Sequence, residues 1–169
     1  MYVGDYLARR CVYDADAAAL VDVTGENPVR FTYADLDARA NRTANWLRDR
    51  GTVSGDRVAH IGDDGTAGYD LFFACCKLGA IFAPINQRLH PREVDGLLGT
   101  LDPSVLVWES AGPIREIADQ VSQGGGLPMV SLEEAILASA QAPDAPVTEE
   151  SVTEEYDEAL HAFMKTHRP

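Results

Sequence analysis

RVAHIGDDGTAGYDLFFACCKLGAIFAPI, residues 57–85, is the stretch on which the fold turns. Arg57 to Ile61 is a short apolar run suited to a buried strand. Thr66 to Leu78 reads as a helix that stops at Gly79, and Ala80 to Ile85 is again an apolar strand. Strands that alternate with helices in this way imply a mostly parallel sheet with helices on both faces, an α/β fold.

The same alternation continues downstream. Pro91 opens a helix where its missing N–H costs nothing, with Val94, Leu97, Leu98 and Leu101 as the expected buried stripe. Ser104 to Trp108 reads as a strand, Pro113 to Val121 as a helix, and Pro128 to Val130 as a further strand. Ser131 and Glu134 have the spacing of a capping box for a short helix. Upstream, Val3 to Val12 reads as an opening helix. Ala19 to Val23 and Val29 to Thr32 read as a hairpin around Thr24-Gly25-Glu26-Asn27-Pro28. Thr32 and Asp35 form another capping box, and Leu36, Ala40, Ala44 and Leu47 follow at helical spacing up to Gly51.

The expected organisation is an α/β domain over residues 1–138, a linker over 139–150 and a C-terminal amphipathic helix over 151–169. Ala138 to Pro146 is rich in Ala, Pro, Gln and Ser. Beyond it, Val152, Tyr156, Ala159, Leu160, Phe163 and Met164 share one helical face opposite an acidic one. There are no internal repeats.

At 169 residues the chain is long enough for one domain with a real core. Its net charge of −13 argues against nucleic acid or an anionic membrane as partner. No run approaches the roughly 20 apolar residues of a membrane span, and the first residues lack the pattern of a secretion signal. Cys11, Cys75 and Cys76 make neither a disulfide framework nor a zinc pattern, which fits a reducing cytoplasm.

Three ordered segments carry a family resemblance. The first is Phe31-Thr32-Tyr33-Ala34-Asp35-Leu36 continuing to Asn41-Arg42-Thr43-Ala44-Asn45-Trp46-Leu47, and the second is Gly55-Asp56-Arg57-Val58-Ala59. The third runs from Lys77-Leu78-Gly79-Ala80 through Pro84-Ile85-Asn86-Gln87-Arg88-Leu89-His90-Pro91 to Val94. As an ordered set they resemble the N-terminal region of the AMP-forming acyl-CoA synthetases, within the acyl-adenylate-forming (AMP-binding) superfamily. The likeness covers about residues 1 to 140 and only the opening part of a typical member. Luciferases and peptide-synthetase adenylation domains share these motifs.

The resemblance implies a reaction in which a carboxylate attacks the α-phosphate of Mg-ATP and a thiol, usually coenzyme A, then displaces AMP. In the family the phosphate loop, the ribose- and magnesium-binding carboxylates, the acyl pocket and the C-terminal lysine all lie downstream. Where a loop resembling Tyr-Thr-Ser-Gly-Thr-Thr-Gly-x-Pro-Lys is expected, this sequence has Asp157 to Pro169 without its glycines or Ser/Thr cluster. Without glycine the backbone cannot wrap its N–H groups around phosphate, so Lys165 would be a point charge without a cradle. Adenylation by this chain alone is not expected, and no catalytic or metal-binding residue is assigned. No cofactor is expected for the chain alone; ATP, magnesium and CoA belong to the family.

Arg88 is the one candidate site residue. An arginine at its position resembles a CoA-phosphate contact in CoA-using relatives, set against an ordinary surface arginine near a helix N-terminus. Gly62, Gly65 and Gly68 are read as a plain strand-to-helix turn, because Asp63 and Asp64 would repel an anion there. This stretch also departs from the family, which usually has a polar Asn and a Glu nearby. His60, His90, His161 and His167 are read as structural.

The leading expectation is a standalone or truncated acyl-CoA synthetase module for binding or assembly, linked to fatty acid metabolism. It would self-associate, as a homodimer, or bind a partner chain through an exposed sheet edge or the 151–166 helix. The alternative is one chain of a split carboxylate–CoA ligase completed by a partner chain.

Overall fold

The structure is a computed structural model that describes residues 5–63, 65–109, 114–124 and 126–147. The expected C-terminal helix over 151–169 lies outside the described residues. Helix α1 (Tyr6–Asp14) precedes an antiparallel hairpin, β1 (Ala18–Asp22) and β2 (Val29–Thr32), and helix α2 (Tyr33–Asp49) follows at once. Then come β3 (Arg57–Ile61), α3 (Thr66–Leu78), β4 (Ile81–Ile85) and α4 (Pro91–Leu101). Strand β5 (Val105–Trp108), α5 (Ile114–Gly124), β6 (Met129–Ser131) and α6 (Leu132–Ser139) complete the set.

Strands β4-β3-β5-β6 form one sheet in that order, and all three pairings are parallel. The pleat sorts side chains between two cores. Val58, Val105, Val107 and Val130 meet Leu47 of α2, Leu71 and Leu78 of α3 and Ala135 of α6. Ala59, Ile61, Ile85 and Leu106 meet Val94 and Leu98 of α4 and Ile114 and Ile117 of α5. Strand β3 is thus buried on both faces, as its unbroken apolar run implies.

The motif residues do local structural work. The Thr32–Asp35 capping box is complete: Thr32 Oγ1 accepts from the Asp35 N–H at 3.1 Å, and Asp35 accepts from the Thr32 N–H at 2.8 Å. Those Thr32 donors hold the Asp35 carboxyl below the ordinary carboxylate range. Arg57 donates to the Leu101 carbonyl at 2.8 Å and the Asp102 carbonyl at 2.6 Å, satisfying the free end of α4. Gly79 ends α3 at φ 68°, a conformation that a Cβ would strain. His90, read from sequence as structural, is the N-cap of α4: its Nδ1 accepts from the Arg92 N–H, and Glu93 closes the box.

Lys77 is the least expected member. Its side chain is 3% exposed, and Nζ donates to both Asp5 oxygens at 3.0 Å and to Asp37 at 2.7 Å. A buried ammonium is tolerated only with such partners. Since Asp5 also caps α1 through the Ala8 N–H, one cation ties α1, α2 and α3 together.

Several boundaries differ from the sequence reading. Helix α1 begins at Tyr6, three residues later than expected, because Asp5 caps it, and it runs two residues further, to Asp14. Leu97 is 42% exposed, so the buried stripe of α4 narrows to Val94 and Leu98 with Leu101 at its edge. The box at Ser131 is half formed: Ser131 Oγ accepts from the Glu134 N–H, with no return bond to the Ser131 backbone. The stretch expected as linker is pinned, since Asn45 Nδ2 donates to the Pro143 and Ala145 carbonyls at 2.8 and 2.9 Å.

Lys77→Met strands two half-buried carboxylates against each other. The expected loss is about 2–3 kcal/mol of unfolding free energy, below the 3–5 of a fully buried pair because both aspartates keep some water. Urea unfolding followed by circular dichroism reads it, and an unchanged midpoint would contradict the structural role.

Candidate functional site

At the carboxyl ends of β3 and β4 the chain turns twice, with Gly62, Asp63 and Gly65 leading into α3 and residues 86–90 into α4. The crevice outside the strand ends is where open parallel sheets characteristically hold ligands. Here the two turns and the first half of α3 enclose a cleft of about 850 Å³.

Its walls are aromatic. Helical spacing brings Tyr69, Phe72 and Phe73 to the cleft from α3, and the pleat brings Phe82 and Pro84 from β4. Phe72 packs edge-on against Phe73 at 5.1 Å and against Phe82 at 6.1 Å between ring centroids. Tyr69 is 49% exposed and Phe72 40%, so these rings face the opening.

The floor is His60 and the three glycines that sequence reading took for a plain turn. His60 is 5% exposed and stacks on Phe82 at 6.1 Å. Its Nδ1 lies 3.2 Å from the Val107 carbonyl, which can only accept, so Nδ1 carries the proton in that bond. A Cβ on Gly62 would stand 2.8 Å from His60 Cε1 and 3.3 Å from Glu109 Oε2. Glycine is therefore required there for close approach. At Gly68 a Cβ would meet nothing nearer than His60 Nε2 at 3.9 Å, which makes that glycine a source of open volume.

The rim is polar. Gln87 donates to Asp63 across the mouth, joining the two turns, and the Asp63 N–H donates to Glu109 at 2.8 Å. Asn86 Oδ1 accepts from the Arg88 N–H at 2.9 Å and shapes the turn that carries Arg88. Arg88 is exposed on this rim, the place where the sequence candidate and the cleft coincide. Sequence reading found Arg88 but missed the aromatic wall, whose signal was the i, i+3, i+4 spacing of Tyr69, Phe72 and Phe73.

No chemistry of nucleophile and base is assembled here. His90 is spent on its cap, and burial pushes the Cys75 thiol up to about 12. Burial also raises the Cys11 and Cys76 thiols, so none is an activated nucleophile. Among the described residues no group of three or more His, Cys, Asp or Glu side chains is placed to hold a metal ion. Among those residues, too, no helix is long and apolar enough to cross a membrane.

The comparisons with known proteins agree with the fold. A family model described as AMP-binding enzyme matches residues 7–164. A feruloyl-CoA synthase of an Amycolatopsis species is 39% identical over 119 residues, which are 69% of this chain and 23% of that protein. The long-chain-fatty-acid–CoA ligase FadD13 of Mycobacterium tuberculosis is 33% identical over 119 residues, 70% of this chain and 23% of that protein. The solved fatty acyl CoA synthetase of Mycobacterium tuberculosis gives a TM-score of 0.79 at 27% identity, covering 88% of this chain and 30% of that one. The inhibitor-bound N-terminal domain of FACL13 from the same organism also gives 0.79 at 27%, covering 88% of this chain and 38% of that one. The chain spans about a quarter of the length of these curated relatives.

The two glycines give opposite expectations. Gly62→Ala must displace the His60 ring, which is held at the Val107 carbonyl, at a cost of about 1–3 kcal/mol. Gly68→Ala, inside α3 with open space around it, is expected to leave stability unchanged or raise it by about 0.5–1 kcal/mol. Thermal unfolding of both variants checks the floor of the cleft; equal losses would contradict it.

Proposed function

The chain belongs to the AMP-binding enzyme family, and from that premise we propose that it is the N-terminal module of an acyl-CoA synthetase, serving binding or assembly and not adenylating by itself. One observation carries this reading. A four-stranded parallel sheet with an open cleft is paired with a sequence that contains no stretch resembling Tyr-Thr-Ser-Gly-Thr-Thr-Gly-x-Pro-Lys. The charges at the cleft agree. Asp63 lines the cleft and its N–H is bonded to Glu109, so a triphosphate set there would meet carboxylates.

In this reading Arg88 is the residue that would touch a phosphate of CoA, and ATP and magnesium engage parts of the family enzyme beyond this stretch. The free thiols Cys11, Cys75 and Cys76 support the expected cytoplasmic setting. Activation of a fatty or aromatic acid is the reaction class suggested by the relatives' names.

A second reading, one chain of a split carboxylate–CoA ligase completed by a partner chain, draws on the exposed aromatic wall. Apolar faces of this kind are commonly covered by another surface. The sheet edge is the weaker route to such a partner. Strand β4 carries Pro84, which has no N–H to donate, and β6 is three residues long; both features blunt an edge. The 151–166 helix, the other expected route to a homodimer or partner, lies outside the described residues.

Pyrophosphate release from ATP, magnesium, CoA and either ferulate or a long-chain fatty acid tests both readings. The purified chain is expected to release none above the protein-free rate. Release by the chain alone would overturn the module reading, and release only on adding a second chain would select the split ligase.

A further inference from the structure

Away from the cleft, the outer face of α6 and the neighbouring face of α2 form a second surface with a chemistry of its own. Helix α6 packs Leu132, Ala135 and Ala138 on the core shared with α2, while Ile136 and Leu137 are 48% and 68% exposed. Scattered exposed apolar residues are ordinary, but these two are adjacent on a helix of eight residues. The chain leaving α6 stays on this side of the molecule. Ala142 and Val147 pack on the same core, and Asn45 holds the Pro143 and Ala145 carbonyls. Arg42 and Arg48 stand three residues either side of Asn45, so helical spacing sets them on the α2 face that receives this strap. Their ion-pair partners among the described residues, Asp144 and Asp49, lie 4.0 and 3.9 Å away, at the outer limit of a salt bridge.

We propose that this surface is the docking site of residues 149–164 of the same chain, their apolar side over Ile136 and Leu137 and their carboxylates beside Arg42 and Arg48. Two properties of the sequence match the surface. Val152, Tyr156, Leu160 and Phe163 recur at helical spacing and supply an apolar stripe for the exposed pair. Glu149, Glu150, Glu154 and Glu155 supply counter-charges, in a stretch that has no Lys or Arg before Lys165. The reach is sufficient, because the five residues from Val147 to Val152 span up to about 17 Å and α6 is about 12 Å long. A short connection also holds the segment at a high effective concentration, which favours it over a second copy of the chain. The docked segment is then committed to its own domain, which removes it as a route to a partner chain.

Amide hydrogen exchange of the full chain, read by mass spectrometry of its fragments, tests the contact. An isolated helix of this length is marginal in water, so slow exchange over residues 152–164 requires docking. Exchange about tenfold slower than in a free 149–164 peptide is expected, at a rate independent of protein concentration. Ile136→Ser combined with Leu137→Ser, both at exposed side chains, should return the segment to the peptide's rate while β3 keeps its own. Arg42→Gln combined with Arg48→Gln should cut the protection about threefold, as expected for two exposed ion pairs. Exchange at the peptide's rate in the unaltered chain, or unchanged protection in either double variant, overturns the proposal. Protection that rises with protein concentration overturns it as well, and assigns the surface to a second copy.

Discussion

Strand β3 has to serve two cores at once, and the rest of the molecule is arranged around that demand. Val58 points toward α2 and α3, while Ala59 and Ile61 point toward α4 and α5. Both edges of the strand are paired, to β4 and to β5. A strand with no free face or edge cannot slip register without turning apolar side chains out of two cores. The helices are therefore held in two layers, α2, α3 and α6 on one face and α4 and α5 on the other, and the chain must turn sharply at Gly62 to leave the sheet. That turn, forced against the His60 ring, opens the cleft.

The ordered motifs that tie this chain to its family are, in this structure, mostly devices of packing and termination. Asp35 completes a cap, Arg57 closes the far end of α4, Gly79 ends α3, and His90 starts α4. Lys77 joins three helices through two aspartates that are 72 and 40 residues away in sequence. A family's recurrent residues can thus specify a scaffold as strictly as a reaction. Arg88 differs from them because its charge is left available at the rim. The functional reading accordingly depends on the cleft and not on the motifs alone.

The order and type of elements were legible because each carries a local signal: an apolar run for β3, a helical stripe from Leu36 to Leu47, proline at the start of α4. Spatial pairings had no such signal. Nothing in the spacing of Asp5, Asp37 and Lys77 announces an ion cluster, since long-range contact is decided by how helices cross. The same holds for Asn45 bonding to the Pro143 and Ala145 carbonyls, within the Ala/Pro-rich stretch that reads as a linker. His60 and the glycines were seen separately in the sequence. Only the parallel register of β3 with β4, setting His60 beside Pro84, placed them under an aromatic wall.

The proposed module requires that the four-stranded sheet and the cleft at its strand ends form within this stretch. Native-state amide hydrogen exchange on the isolated chain tests that most directly. The account predicts the slowest exchange together in β3 and β5, at the level of global unfolding, with the hairpin and the turns around the cleft opening more easily. Uniformly fast exchange through Val58–Ile61 and Val105–Val107 would contradict it, and would mean that the sheet forms only within a larger assembly.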